Sequence, residues 1–186
     1  MGEEYGETAP FLYFVSHSDD PLVEAVRKGR KEEFASHRWE GEPPDPQDEG
    51  TFLRSRLDHG LAAGRHHRVL REYYRELIRL RKGHPALSRL SKEGMEVSVH
   101  GKEKVLLVRR WKGPAQAAAA CHFGDSPVSL QARLPSGTWE KLLDSSENRW
   151  GGTGSAVPEK LDLREEFSLT LNPGAFVLLS KASGGG

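Results

Sequence analysis

The hydrophobic period changes once along this chain, and that change limits what the chain can fold into. Before about residue 90 apolar residues recur every three or four positions, and from Met95 onward they alternate. The strongest helical signal covers 65–82, where Val69, Leu70, Tyr73, Tyr74, Leu77, Ile78 and Leu80 fill one broad face. Gly83 fits the position just past that helix, and Pro85 prevents its continuation. An earlier helix is expected over about 21–35, with Asp20 as N-cap, Pro21 at the first helical position, and Leu22, Val23, Val26 and Phe34 on its apolar side. Pro43-Pro44-Asp45-Pro46 interrupts regular structure, and Asp48 to Leu57 forms a short helix around Phe52, Leu53 and Leu57. The helical half holds few partners for the Val69–Leu80 stripe. At about 25 cal/mol per Å² of apolar surface, that stripe must be covered either by the second half or by something outside the chain.

The second half reads as a series of short strands. Met95, Val97 and Val99 alternate, and Gly101-Lys102 turns the chain into Val105–Val108. Ala117–Phe123 has the composition of a buried strand. Val128, Leu130, Ala132 and Leu134 alternate up to the turn at Pro135-Ser136-Gly137, with Trp139, Leu142 and Leu143 beyond it. A loop contains Trp150-Gly151-Gly152. Phe167, Leu169 and Leu171 then alternate up to Asn172-Pro173-Gly174, and Ala175–Leu179 closes the set. Six to eight strands at this spacing predict an antiparallel sandwich or barrel.

Charge and composition exclude several functions. Twenty-seven Lys and Arg balance 27 Asp and Glu, so no global field is present to hold a nucleic-acid backbone. The arginines of 68–79 are interleaved with Glu72 and Glu76, which marks a solvated face laced with i,i+3 pairs. No apolar run approaches the roughly 18 residues of a membrane span. Cys121 is the only cysteine, so no internal disulfide forms, and the acidic start Met1-Gly2-Glu3-Glu4 lacks the features of a secretory leader. A cytoplasmic location follows as the expectation. The sequence shows no repeat, no phosphate-binding loop and no metal-spaced Cys or His cluster, and it calls for no cofactor and no metal. Ser183-Gly184-Gly185-Gly186 reads as a flexible tail.

Particular motifs carry a resemblance. Gly2-Glu3-Glu4-Tyr5-Gly6-Glu7 resembles the segment that follows the eighth barrel strand in α-amylase-type glycoside hydrolases (family 13). Tyr73 to Arg81 with His84-Pro85-Ala86-Leu87 resembles the last barrel helix of that clan. A narrower likeness is to the malto-oligosyltrehalose trehalohydrolase family. It rests on Phe14-Val15-Ser16-His17-Ser18-Asp19, Val26 to Phe34, Pro44-Asp45-Pro46-Gln47-Asp48 and Ser55-Arg56-Leu57-Asp58, in that order. His59 stands where the family usually has Trp, and Cys121-His122-Phe123-Gly124 replaces its usual Asn-Phe-Gly.

The resemblance implies an α+β chain: residues 1–91 as the helical tail end of a TIM (β/α)8 barrel, residues 92–181 as an all-β antiparallel sandwich, and residues 182–186 as the tail. It also implies a retaining hydrolase that cuts the α-1,4 bond beside the trehalose end of malto-oligosyltrehalose, an uncharged α-glucan. The catalytic carboxylates of such enzymes stand at barrel strands that would precede residue 1, so no catalytic residue is expected here. Within the chain, Glu3 and Glu4 are adjacent and point apart, and Asp19 and Asp20 serve a helix start, so neither pair is a catalytic one. Loops at that end of a barrel line the substrate cleft. Glu4, Tyr5, Tyr13 and Phe14 are accordingly the candidates for substrate contact, since aromatic faces stack on sugar rings and carboxylates accept their hydroxyls. Two other readings use the same residues: an α-glucan-binding sandwich module with Trp150 as its exposed aromatic, and a non-catalytic interaction domain that recruits a partner through the helical stripe.

Overall fold

A computed structural model of the chain describes residues 1–37, 41–164 and 166–181. The expected C-terminal tail lies outside the described residues. The chain separates into two compact units that divide inside a helix, at Arg68 and Val69.

The first unit is built on short helices and pinned loops. Helix α1 spans Asp20–Ser36, with Asp19, rather than Asp20, as the residue before it. The Asp19 side chain makes no capping hydrogen bond, and its backbone carbonyl accepts the first helical bond from the Val23 amide at 2.9 Å. Helix α2, Glu49–Arg54, is capped by Asp48, whose carboxylate accepts from the Gly50 amide at 2.8 Å. A 3-10 turn over His59–Ala63 is capped in the same way by Asp58. The proline loop is held from both sides: Arg27 Nε donates to Asp45 at 3.1 Å, and the fully buried Thr51 donates its hydroxyl to the Asp45 carbonyl at 2.8 Å. The guanidinium of Arg27 keeps the Asp45 carboxyl below its ordinary pKa.

The second unit is an uneven antiparallel sandwich. Its strands are β1 (Met95–His100), β2 (Val105–Lys112), β3 (Ala115–His122), β4 (Val128–Arg133), β5 (Gly137–Asp144), β6 (Lys160–Leu163), β7 (Glu166–Leu171) and β8 (Phe176–Lys181). Six of them form one sheet in the order β1-β2-β3-β8-β5-β6, and β4 and β7 form a separate pair. The core between the sheets holds Trp139, Leu130, Leu171, Val177 and Leu179, all essentially inaccessible. Strand β7 shows the expected pattern: Phe167, Leu169 and Leu171 are buried, and Glu166, Ser168 and Thr170 are exposed. Strand β1 does the opposite of a core strand. Its apolar side chains Met95, Val97 and Val99 are exposed, and its polar set Glu96, Ser98 and His100 lies on the face that continues the sandwich interior. β1 is an edge strand, and two strands spaced at about 4.8 Å cannot roof six, so its inner face stays wet.

The opposite face of the large sheet answers the question raised by the helical stripe. Helix α3 spans Arg65–Gly83, and a short turn of helix, α4, spans Pro85–Ser88. Tyr73, Leu77, Leu80, Ala86 and Leu87 pack with Ala117, Ala119, Leu142, Leu143, Phe176 and Leu178 of the sheet. Leu143 reaches this side because a bulge between Lys141 and Leu143 shifts the register of β5 against β8. On the wet side of α3, Arg75 pairs with Glu72 at 2.8 Å and Arg79 with Glu76 at 2.6 Å, as their spacing predicts. No helix among the described residues is long and apolar enough to cross a membrane.

Gly83 does not terminate α3 in a left-handed conformation but is its last helical residue, because His84 supplies the break. His84 is extended, and its Nδ1 accepts from the Ala86 amide at 3.2 Å, capping α4. Nδ1 must therefore carry the lone pair, so Nε2–H donates to Ser180 Oγ at 2.9 Å. Burial holds the His84 pKa below its ordinary value. The unfolded chain then takes up the proton first. This contribution to stability is complete above about pH 6.5 and is lost as pH falls through that value toward the folded one. Compared with H84N, which keeps a capping oxygen but does not titrate, the wild-type chain should lose more of its urea midpoint between pH 7.5 and pH 5.5. Equal losses in the two proteins would remove His84 from the explanation.

Candidate functional site

The first nine residues form a loop around one carboxylate. Gly2 and Gly6 are both left-handed, with φ of 75° and 70°, and flank a 3-10 turn over Glu3–Tyr5. A Cβ on Gly2 would lie 2.6 Å from Glu7 Cβ and 2.9 Å from Tyr5 Oη, so glycine is required there. Glu7 Oε1 accepts from the amides of Thr8 at 2.7 Å and Ala9 at 2.9 Å, while Oε2 accepts from the Asp58 amide at 2.7 Å and the Tyr5 hydroxyl at 3.0 Å. These bonds, the Ala9 amide foremost, push the Glu7 pKa down to about 2, so the carboxylate is ionised across the physiological range. His67 Nδ1 donates to the Tyr5 carbonyl at 2.7 Å, and the His59 ring lies 6.2 Å from that of Tyr5.

The segment after this loop runs extended beside the proline loop and α2. The Leu12 amide donates to Ser55 Oγ at 3.4 Å, and the Val15 amide to the Pro46 carbonyl at 2.9 Å. Gln47 clamps His17 from both ends: its oxygen accepts from the His17 amide at 3.2 Å, and its Nε2 donates to the His17 carbonyl at 2.7 Å. Successive side chains of an extended segment alternate in direction, and this pinning leaves aromatic surface open. Phe11 is 78% exposed, Tyr13 49% and Phe14 36%. Phe14 meets Phe52 edge-on at 5.3 Å, and the Arg30 guanidinium lies 5.1 Å from the Tyr13 ring.

The four expected contact residues are thus placed differently from one another. Glu4 is exposed on the 3-10 turn, and Tyr13 and Phe14 are exposed on the pinned segment. Tyr5 is only 4% exposed, with its hydroxyl committed to Glu7, so it holds the loop in shape and offers no ring face. Burial raises its pKa, with Glu7 adding to the effect. Glu7, which binds the loop together, was not singled out in the sequence, where it is one acidic residue among several. The Gly-x-x-x-Gly-Glu spacing around it was the available signal. Among the described residues no group of three or more His, Cys, Asp or Glu is placed to hold a metal ion.

Trp150, expected as an exposed platform, is half-buried. Tyr73 meets it edge-on at 5.2 Å, the Arg149 guanidinium lies 4.7 Å from its ring, and its Nε1 is out of contact with water. The cause is the loop that carries it: Gly151 is left-handed, and Gly152 lies so close to Ser146 that a Cβ would come within 2.2 Å of its carbonyl oxygen. The loop curls inward, and its Trp packs against α3 instead of facing solvent.

Comparison with known proteins fits this arrangement. Residues 97–182 match the family model for the alpha amylase C-terminal all-beta domain. A crystal structure from Salmonella typhimurium, of a protein assigned as an alpha amylase, superposes with a TM-score of 0.72 at 27% identity, covering 98% of this chain and 27% of that one. The chain is similar to the C-terminal part of α-amylase-type glycoside hydrolases, as an α+β segment whose helices precede the all-β domain. Within them its relatives are malto-oligosyltrehalose trehalohydrolases, and it corresponds to their C-terminal part. It is 43% identical over 158 residues to the protein of Arthrobacter ramosus, covering 84% of this chain and 26% of that one. It is 40% identical over 131 residues to that of Rhizobium sp. strain M-11, covering 70% of this chain and 21% of that one. The chain spans only about a fifth to a quarter of the length of these curated relatives.

Proposed function

We propose that this chain supplies the C-terminal part of a cytoplasmic malto-oligosyltrehalose trehalohydrolase that releases trehalose by cutting the adjacent α-1,4 bond. The observation that carries the reading is the 43% identity with a trehalohydrolase over 158 residues, which takes in the helical half as well as the generic sandwich. Retaining hydrolysis needs two carboxyl groups about 5–5.5 Å apart, one to attack the anomeric carbon and one to protonate the leaving oxygen. Those groups belong to the portion of the relatives that this chain does not span. The part left to the residues described here is positional. Glu7 and Tyr5 fix the N-terminal loop, Glu4 offers a carboxylate to sugar hydroxyls, and Tyr13 and Phe14 offer ring faces to the glucan.

The 186 residues alone should release no trehalose from a malto-oligosyltrehalose. The same residues joined behind the upstream part of the Arthrobacter ramosus relative should release it. In that fusion Tyr13→Ala together with Phe14→Ala should raise KM about tenfold with a smaller change in kcat, the loss of about 1.4 kcal/mol of ring stacking. Turnover by the isolated chain would overturn the assignment of catalysis to upstream residues, and an unchanged KM would remove Tyr13 and Phe14 from the cleft.

A further inference from the structure

We propose that the groove at the open edge of the sandwich binds a neutral polyhydroxylated ligand. A short α-glucan is the form favoured if the function proposed above holds. The groove has a volume of about 420 Å³ and runs between β1 and β4, with Leu107 and Ala132 at its base. That size lies in the range of small-molecule sites. Its walls are the polar face that β1 turns inward, Glu96, Ser98 and His100, together with Gln131, Arg133 and Glu166 from the small sheet.

Three observations select the ligand chemistry. The charges at the groove are paired: Arg109 Nε donates to Glu96 at 3.0 Å, and Arg133 Nε donates to Glu166 at 3.0 Å. Paired charges leave little field to select an ion. The hydroxyl of Ser98, the amide of Gln131 and the imidazole of His100 are then the groups suited to directional hydrogen bonds with an uncharged partner. Finally, His100 Nε2 is shut off from water and has no hydrogen-bond partner, although the ring lines the groove. A buried polar atom in that state marks a missing partner. A half-turn about the Cβ–Cγ bond exchanges the positions of Nε2 and Cε1, so a ligand hydroxyl can be met from the ring's other edge. The polar pattern of β1 is the unusual feature. A strand continuing the sandwich core should turn its valines inward, and this one turns Glu96, Ser98 and His100 inward.

The test is a titration of the ¹⁵N-labelled chain with maltotriose. Amide shifts should saturate at Ser98, His100, Gln131 and their neighbours. Ser98→Ala and Gln131→Ala, both at solvent-accessible positions, should weaken the response about tenfold each. The Tyr13→Ala, Phe14→Ala double variant should leave it unchanged. No saturable response at the groove up to about 20 mM, well above millimolar affinity, would overturn the proposal. So would a response confined to Tyr13 and Phe14, or one indifferent to Ser98→Ala and Gln131→Ala. Trehalose release by the fusion is read separately, so failure of the groove and failure of the hydrolase assignment remain distinguishable.

Discussion

Trp139→Ala should be the most damaging single substitution in the second unit, lowering stability by about 3–5 kcal/mol. Trp139 is completely buried between the two sheets, where it shares a cluster with Leu130, Leu161, Leu163, Phe167, Leu171, Val177 and Leu179. Its indole Nε1 donates to the Pro135 carbonyl at 3.0 Å, which ties the start of β5 to the turn before it. Truncation removes the largest fully buried side chain of the protein and leaves a void that the flanking strands cannot close. Small domains hold only about 5–15 kcal/mol in total, so much of the chain should be unfolded at 37 °C. Trp139→Phe separates the two contributions: it keeps most of the volume, loses the hydrogen bond, and should cost about 1–2 kcal/mol. Urea unfolding followed by circular dichroism measures both, since each substitution removes one of the four tryptophan fluorophores. A loss below 1 kcal/mol for Trp139→Ala would mean that the sandwich core closes around the gap.

The same residue shows why the sandwich was legible in the sequence. Strands with one wet and one dry face write their burial into an alternation, and Val128–Leu134 and Phe167–Leu171 do so cleanly. Helix α3 was equally plain, because seven apolar residues recur at helical spacing along one face. β6 was not anticipated. It has four residues, two of them charged, and only its pairing with β5 makes it a strand. The orientation of β1 was also beyond reach. Alternation reveals that two faces differ, not which one meets the core, and at the sheet edge the usual assignment is inverted. At the candidate site the sequence does not separate the roles of residues within the loop. Tyr5 and Tyr13 are the same residue type in similar surroundings, yet one is sealed under Gly2 and Glu7 and the other lies open beneath Arg30. Trp150 failed for a related reason: glycines beside an aromatic suggest an exposed loop, and here they let the loop turn inward.

Leu143→Ala tests the other face of the large sheet, and its expected effect is nearly as large, about 2–5 kcal/mol. Leu143 is fully buried among Leu80, Ala86, Ala117 and Leu178, so it belongs to the layer beneath α3 and not to the core around Trp139. The two layers share strands β3, β5 and β8 but bury opposite sides of them. This makes separable readouts possible. Loss of Leu143 should free α3 and α4 first, seen as faster amide exchange over Val69–Leu87, while β4 and β7 keep their protection. Loss of Trp139 should release β4 and β7 with the rest of the sandwich. The bulge at Lys141–Leu143 is what aims this leucine at the helices. Were α3 held chiefly by its surface Arg–Glu pairs, Leu143→Ala would leave its exchange unchanged, and high salt would loosen it instead. The expected outcome is the reverse: α3 is insensitive to salt and sensitive to one methylene-rich contact. The Tyr73, Leu77 and Leu80 part of the apolar stripe that looked unpartnered in the sequence would then be satisfied by the chain's own sheet, while Ile78 stays exposed.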